Sequence, residues 1–243
     1  MRKLLAACGL LLLACGCAHY RTPGGGVSIP AITDSRIAEA LAREPAAAFP
    51  ARIIVARVQA GGYFSYSGRG YGNGGYTVVT TRDIETDEDF AQLVALPGVA
   101  AIGAVNRVLL PLELRSLQDL REAAAQLHGD IILLYSVNTA FHTENQLVAP
   151  LQVVSLGMFA SEKSHITTTC AAAFVDVRTG YVYGVAEGTA TQTRRSSPWT
   201  TEAAIEGARL KTERQAFSSA LKEIARTWTS INAEYGRSTI VLR

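Results

Sequence analysis

Residues 117–137, LQDLREAAAQLHGDIILLYSV, contain a helix and a strand with almost no residue between them. Apolar side chains recur at helical spacing over the first half, at Leu117, Leu120, Ala124 and Leu127. Ser116 is a good N-cap with Asp119 three residues later, a variant of the capping box. We expect Gly129 to end the helix, because glycine readily adopts the conformation that closes one. The apolar run at 130–137 then predicts a buried strand, and so an α/β unit.

The rest of the chain alternates in the same way, which predicts an α/β fold with a mixed β-sheet and helices packed on it. Further strands are predicted at residues 52–58, 76–81, 99–105 and 152–156, and a last edge strand at 239–242. A hairpin is predicted from 164–177 and 181–193, turned at 176–180. Short helices are predicted at 35–44 and 87–96.

The longest predicted helix begins after Thr200 or Thr201 and runs to about Ile231. One apolar stripe keeps helical spacing and should pack on the sheet: Leu210, Phe217, Leu221, Ile224, Trp228 and Ile231. A charged set is expected to face water: Lys211, Glu213, Arg214, Lys222, Glu223 and Arg226.

The N-terminus has the pattern of a lipoprotein signal peptide. Arg2 and Lys3 precede an uncharged run at residues 4–14, which is too short for a bilayer span of about 20 apolar residues. Cys15 and Cys17 each follow a small residue, as in a lipobox, so either cysteine is a candidate for acylation. The expected division is a signal peptide at 1–16, a flexible Pro/Gly-rich tether at 17–34 and one α/β domain at 35–243. We therefore expect a lipid anchor in a membrane.

Composition limits the classes of partner. The chain has 23 basic and 21 acidic residues, and removing a signal that carries Arg2 and Lys3 leaves 21 of each. A protein that binds nucleic acid would need an excess of basic residues, so we expect this protein not to bind nucleic acid. The only cysteine beyond residue 17 is Cys170, which excludes a disulfide framework and is predicted to be a small buried residue.

The sequence contains fragments of catalytic and metal-binding motifs, but each lacks the neighbouring element, companion motif or spacing that its chemistry requires. Residues 70–75, GYGNGG, match a dinucleotide pattern, but a strand rather than a helix is predicted after them. Ser219 and Lys222 form an SxxK pattern inside the predicted long helix, without the companion motifs in order. The four histidines, His19, His128, His142 and His165, lack metal spacing, although the last two could meet if their strands are neighbours. The sequence therefore predicts no catalytic residue, no metal site and no cofactor.

Residues 61–75 are rich in glycine and carry five candidate binding residues: Tyr63, Phe64, Tyr66, Arg69 and Tyr71. Glycine loses the most entropy on ordering, so we expect a mobile loop that displays its aromatic rings. Two interpretations stay open. Tyrosines supply large contact area at low entropic cost, as binding loops do. Alternatively the segment is a tolerated insertion, since long surface loops cost little stability.

Residues 117–137 and the segment AFVDVRTGYVY at 173–183, followed by a long final helix, resemble the CsgG/LpoB-like bacterial envelope lipoproteins, whose α/β domain is similar to the TolB N-terminal domain. The resemblance covers residues 50–230 approximately. Two features depart from it: the 61–75 segment, and Tyr181 where relatives carry an acidic residue.

The resemblance implies a non-enzymatic binding or scaffold component of the envelope, with an envelope protein or a second copy as partner. Gly16 or Ala18 would follow the acylated cysteine, which by similarity to enterobacterial sorting implies the periplasmic side of the outer membrane. An alternative is a subunit of an oligomeric CsgG-like secretion complex. That role needs amphipathic membrane hairpins, and the candidate segments at 62–81 and 141–166 are glycine-rich or short. A third hypothesis is an envelope hydrolase whose site is not visible in sequence.

Overall fold

The computed structural model describes residues 37–66, 68–145, 162–196 and 202–236. Four α-helices are present in these ranges, α1 (Ile37–Leu41), α2 (Asp87–Val94), α3 (Leu117–Gln126) and α4 (Glu202–Tyr235), together with a short 3₁₀ helix at Arg107–Leu109. The long strands are β1 (Ala51–Ala60), β5 (Tyr76–Val79), β6 (Val99–Ala104), β8 (Ile131–Asn145), β9 (Glu162–Asp176) and β10 (Val182–Ser196). Four two-residue strands complete the set: β2 (Phe64–Ser65), β3 (Gly68–Arg69), β4 (Asn73–Gly74) and β7 (Glu113–Leu114).

The main sheet is mixed, as predicted. Its order is β10-β9-β8-β1-β5, and β6 also pairs with β1. Strand β1 is parallel to β6 and β8 and antiparallel to β5, whereas β8, β9 and β10 form an antiparallel meander. The α/β prediction is therefore confirmed.

Helices cover the two faces of this sheet. On strand β8, the side chains of Ile131, Leu133 and Tyr135 pack in the core under α4. The alternate side chains, Ile132 and Leu134, pack in the core under α3. Successive side chains of a strand point to opposite faces, so a strand buried on both faces reads as a continuous apolar run. This explains why residues 130–137 carry no polar alternation.

Helix α3 begins as the sequence predicts and ends differently. The Ser116 side chain and the Asp119 carboxylate form a capping box, with the backbone N–H of Ser116 donating to Asp119 Oδ2 at 2.8 Å. At the other end the left-handed residue is His128, with φ 56°, so the prediction that Gly129 closes the helix was wrong. Gly129 is needed for another reason, since a Cβ there would collide with the Ile54 side chain.

Helix α4 buries the predicted stripe against the sheet. Trp228 is fully buried, with its ring centroid 5.4 Å from that of Phe174 and 5.7 Å from that of Phe49. The charged set does not all face water, because Glu213 is only 3% exposed. No helix in the described part of the chain is long and apolar enough to cross a membrane.

The β9–β10 hairpin is confirmed. Its turn is held by Asp176, whose carboxylate accepts the backbone N–H groups of Arg178 and Thr179 at 2.8 and 2.9 Å. Cys170 is fully buried, as expected, and burial raises the pKa of its thiol to about 12. The signal peptide, the tether, the 152–156 and 239–242 strands and the caps Thr200 and Thr201 lie outside the described residues.

Candidate functional site: an aromatic hairpin above a buried ion network

The glycine-rich segment is folded onto the edge of the sheet. Strands β2 and β3 form a small hairpin, and β4 pairs with β7. Tyr71 and Val78 exchange two backbone hydrogen bonds of 2.8 and 2.9 Å, which carries the segment along the edge of β5. The expectation of a mobile loop is therefore corrected: its backbone is ordered by hydrogen bonds to neighbouring elements. Covering a sheet edge also protects it from pairing with other chains.

Close packing, rather than flexibility, explains most of the glycines. A Cβ at Gly70 would collide with the Thr77 side chain, and one at Gly74 with the Leu114 carbonyl oxygen. The same holds for a larger set in which a Cβ would approach a neighbouring atom closer than 3.0 Å: Gly61, Gly68, Gly70, Gly72 and Gly74. Only glycine allows the backbone to approach its neighbours this closely.

The five candidate binding residues separate into two groups. Tyr63 is 4% exposed, so the expectation that it is displayed to solvent was wrong. Tyr71 is half-buried and its hydroxyl donates to the Leu110 carbonyl oxygen at 3.3 Å. Phe64 and Tyr66 are 59% and 75% exposed, and the Arg69 guanidinium lies 5.3 Å from the Phe64 ring centroid. We call Phe64, Tyr66 and Arg69 the aromatic hairpin.

Tyr63 connects the aromatic hairpin to the interior. Its ring lies under the Arg57 guanidinium, 6.0 Å from centroid to Cζ. Burial raises the pKa of Tyr63, and the positive charges of Arg57 and Arg209 only partly oppose that shift. The base of the hairpin is therefore anchored beside buried charges.

Arg57 is the centre of these buried charges. It lies on β1 and is 3% exposed. Its guanidinium nitrogens lie 2.5 Å from Asp83, 3.5 Å from Glu85 and 3.5 Å from Glu213. Burial opposes its charge, but the carboxylates of Glu85 and Asp83 outweigh burial and raise the pKa of Arg57. The cation is therefore held permanently in the interior.

The network continues along α4. Glu213 Oε1 lies 2.5 Å from Arg209 Nη1 and accepts a hydrogen bond of 2.8 Å from the Thr139 hydroxyl. Arg209 donates from Nε to Glu206 at 2.8 Å. The prediction that Glu213 faces water was wrong because the helix places it against β8, where Arg209 and Thr139 compensate its burial. Nothing in the spacing of charges along the helix indicates this.

The opposite end of the network is Tyr135, whose hydroxyl donates to Glu85 Oε1. Burial is the main cause that raises the pKa of Tyr135 well above its ordinary value, and the charge of Glu85 adds to it. A cavity beside Glu85 and Tyr135 has a volume of about 40 Å³, which suits a few water molecules and is far below the size of a ligand pocket. We interpret the network as a structural support.

The structure also shows where the other sequence motifs lie. The GYGNGG stretch leads into strand β5 and Ser219 lies inside α4, as predicted. His142 and His165 lie directly opposite each other on β8 and β9, so they do meet in the sheet. Among the described residues no three histidine, cysteine or acidic side chains converge to hold a metal ion. Cys15, Cys17 and His19 lie outside the described residues.

No protein-family model matches the chain, and no curated protein matches it in sequence. Several solved structures superpose in part. Lipoprotein GNA1162 from Neisseria meningitidis is 12% identical, with 67% of this chain and 94% of that chain covered and a TM-score of 0.30. A lipoprotein from Caulobacter crescentus CB15 is 18% identical, covering 47% and 80%, with a TM-score of 0.27. A neuraminyllactose-binding hemagglutinin homolog from Helicobacter pylori is 10% identical, covering 90% and 97%, with a TM-score of 0.38. At these identities and TM-scores the superpositions carry no argument about activity or partner.

Proposed function

We propose that this protein is a non-enzymatic lipoprotein of the bacterial envelope that binds an envelope protein through its aromatic hairpin. In this proposal an acylated Cys15 or Cys17 anchors it on the periplasmic side of the outer membrane. The observation that supports binding is the exposure of Phe64 and Tyr66 on an ordered backbone. The membrane and its sidedness rest on the sequence alone.

The aromatic hairpin has the properties of a preorganised contact surface. Large rings contribute most of the energy at protein interfaces, and arginine is enriched there with them. The glycines packed against Thr77 and Leu114 hold the backbone in place. Binding of a partner would therefore not include the entropic cost of ordering a loop, which is a major cost of association.

The position of the aromatic hairpin suits capture of a partner away from the anchor. The described chain begins near the β9–β10 turn, where Arg43 Nη1 donates to the Gly180 carbonyl oxygen at 3.5 Å. The aromatic hairpin follows Gln59, whose side chain donates to the Val137 carbonyl oxygen at 2.9 Å. Val137 is six residues along β8 from Ile131, which pairs with Asp176 beside that turn, a distance of roughly 20 Å. The aromatic hairpin is thus well separated from Arg43, which lies close to the N-terminal end of the described domain.

Site-specific photo-crosslinking tests the proposal. A benzophenone amino acid in place of Tyr66, in the full chain in intact cells, is expected to give a specific adduct with an envelope protein. The same probe in place of Lys222, which is exposed on α4, is the matched control and should not give that adduct. Adding Phe64→Ser and Arg69→Ala to the Tyr66 probe should remove the adduct. Equal adducts at both positions, or none at Tyr66, would overturn the assignment of the hairpin.

A second candidate function is a subunit of an oligomeric secretion complex. Strand β10 favours it, because it is a 15-residue edge strand that pairs only with β9 among the described residues. Long edge strands are templates for pairing with another chain. Native mass spectrometry of the acylated protein in detergent distinguishes the two functions, since a ring of copies supports the second and a monomer the first. An envelope hydrolase stays a hypothesis for which the described residues offer no supporting site.

A further inference from the structure

A second group of exposed apolar side chains lies in the loop between β6 and β7, which we call the 106–112 loop. Val108 is 85% exposed and Leu112 is 61% exposed. Single exposed apolar residues are ordinary on a protein surface, whereas clustered ones mark interaction sites. Eight large apolar side chains are exposed in the described ranges, and four of them lie in this loop and the aromatic hairpin: Phe64, Tyr66, Val108 and Leu112.

The 106–112 loop displays these side chains on a fixed backbone. Residues Arg107–Leu109 form the 3₁₀ helix, and Asn106 Oδ1 accepts a hydrogen bond of 3.1 Å from the backbone N–H of Val108. Leu110 and Leu114 are buried in the core under α3, which anchors the chain on both sides of Leu112. Val108 and Leu112 are therefore held at the surface by the structure of the loop itself.

Hydrogen bonds join the 106–112 loop to the segment that carries the aromatic hairpin. The backbone N–H of Asn73 donates to the Leu112 carbonyl oxygen at 2.6 Å, and β4 then runs parallel to β7. The Tyr71 hydroxyl donates to the Leu110 carbonyl oxygen at 3.3 Å. The loop and the glycine-rich segment therefore lie side by side at one edge of the domain.

The aromatic hairpin and the 106–112 loop are close enough for one partner to contact both. Tyr71 is two residues from Arg69, and Leu110 is two residues from Val108, steps of at most about 7 Å each. These two steps and the tyrosine side chain that joins them amount to roughly 25 Å at most. A contact surface of standard size buries about 800 Å² per partner and is roughly 30 Å across.

This surface is basic as well as apolar. Residues 61–75 and 106–115 contain three cations, Arg69, Arg107 and Arg115, and one carboxylate, Glu113, which leaves a net charge of +2 (three minus one). All four side chains are exposed, and Arg115 pairs with Glu113. Complementary charge directs association and discourages partners of like charge. The charge of the surface therefore favours an acidic partner.

We propose that the 106–112 loop and the aromatic hairpin form one docking surface for an envelope protein whose matching face is acidic and apolar-lined. This inference rests on the proposed function and specifies the chemistry of the partner. Val108, Leu112 and the hairpin rings supply apolar contacts, which mainly determine the rate of dissociation. Arg69 and Arg107 face carboxylates of the partner, which mainly determine the rate of association and its dependence on salt.

A benzophenone amino acid in place of Val108, in the full chain in intact cells, tests the shared surface. We expect an adduct with the same protein that the Tyr66 probe captures, identified by mass spectrometry of both adducts. The same probe in place of Val185, an equally apolar residue that is 65% exposed on β10, is the matched control and should not give this adduct.

The pattern of adducts separates this inference from the proposed function. An adduct at Tyr66 but none at Val108, or a Val108 adduct with lipid or with a different protein, would overturn the shared surface alone. No adduct at either position would overturn both. An adduct at Val108 alone would overturn the role of the aromatic hairpin and, with it, the shared surface.

Binding kinetics with the protein identified from the Tyr66 adduct test the chemistry of the partner. Arg107→Glu in the full chain should lower the association rate by roughly tenfold at low salt, and by less at high salt. Arg178→Glu, which makes the same change of charge at an exposed position of the β9–β10 turn, is the control and should leave the rate nearly unchanged. Equal rates for the two variants would overturn the acidic partner.

Leu112→Ser tests the apolar contact in the same measurement. It should raise the dissociation rate by roughly tenfold, because interface substitutions act mostly on dissociation, whereas Val185→Ser on β10 should not. Both side chains are exposed, so the circular dichroism of the two variants should match that of the parent. A Leu112→Ser variant that dissociates no faster than the parent would exclude the 106–112 loop from the docking surface.

Discussion

The Trp228 indole donates a hydrogen bond from Nε1 to the Pro97 carbonyl oxygen at 2.8 Å, which joins the long helix to the loop before β6. The ring is fully buried between Phe49 and Phe174. We expect Trp228→Ala to lower the free energy of unfolding by about 3–5 kcal/mol, because it leaves a cavity. Trp228→Phe keeps most of the ring and should cost less, about 1–3 kcal/mol for the unsatisfied carbonyl. Urea denaturation measures both, and an unchanged midpoint for Trp228→Ala would contradict this packing.

Arg57→Met should destabilise the fold strongly. The change leaves the carboxylates of Asp83, Glu85 and Glu213 without their shared cation in the interior, and breaking a buried ion pair costs about 3–5 kcal/mol. The matched control is Arg226→Met on α4, where the pair with Glu223 is exposed and is worth less than about 1 kcal/mol. Similar unfolding free energies for the two variants would mean that the buried network contributes no more than a surface pair.

Gly70→Ala tests whether the glycine-rich segment is docked on the sheet. A Cβ at position 70 collides with Thr77, and overpacking of this kind costs about 1–3 kcal/mol. Gly75→Ala is the control, because its Cβ would make only ordinary contacts, the nearest at 3.9 Å. Thermal unfolding of both variants gives the comparison. A Gly70→Ala variant as stable as the parent would show that the segment moves freely, as the sequence first suggests.

Asp176 should make stability depend on pH. Burial alone would raise the pKa of Asp176, but hydrogen bonds from the backbone N–H groups of Thr179 and Ala46 outweigh burial and hold it below the ordinary value. As the pH falls, the unfolded chain takes up the proton first, near pH 4, so this stabilisation is present above that pH and is lost as the pH falls through the folded-state pKa.

Asp176→Asn should therefore reduce the difference in unfolding free energy between pH 7 and pH 3, measured by urea denaturation. Asp87→Asn is the control, since its carboxylate is 91% exposed beside Arg82. If Asp176→Asn keeps the full pH dependence of the parent, the hydrogen bonds at the hairpin turn do not hold the carboxylate ionised.

The anchor is predicted from the lipobox pattern. Mass spectrometry of the mature protein should show an acylated N-terminal cysteine at residue 15 or 17. Cys15→Ser and Cys17→Ser separate the two candidates, because only the variant lacking the true acceptor should lose the lipid and leave the membrane fraction. An unmodified N-terminus that begins elsewhere would exclude a lipid anchor.

Local patterns determined most of the secondary structure. Three features were predicted from residues that are close together in the sequence: the Ser116–Asp119 capping box, the strand at 131–137 and the apolar stripe that contains Phe217 and Trp228. These signals need no tertiary information, because the 3.6-residue helical period, the apolar run and the cap are properties of neighbouring residues.

The glycine-rich segment and the charges of α4 were decided by tertiary structure. Sequence reasoning assigned flexibility to Gly70 and solvent exposure to Tyr63 and Glu213, whereas all three lie against other elements. The number of glycines in a segment is the same whether they make the loop flexible or allow its backbone to pack closely against a neighbour. A carboxylate can be buried only where distant residues compensate its charge, as Thr139 and Arg209 do for Glu213.

The pairing of His142 with His165 lies between these cases. The sequence predicted a strand that contains His165 and ended the preceding strand at residue 137, before His142, whereas β8 continues to Asn145 and the β8–β9 register sets the two histidines opposite each other. A shift of one residue would place them on opposite faces, because side chains alternate along a strand. The period of each helix and strand is thus a property of its own residues, whereas the packing of distant elements decides which side chains meet.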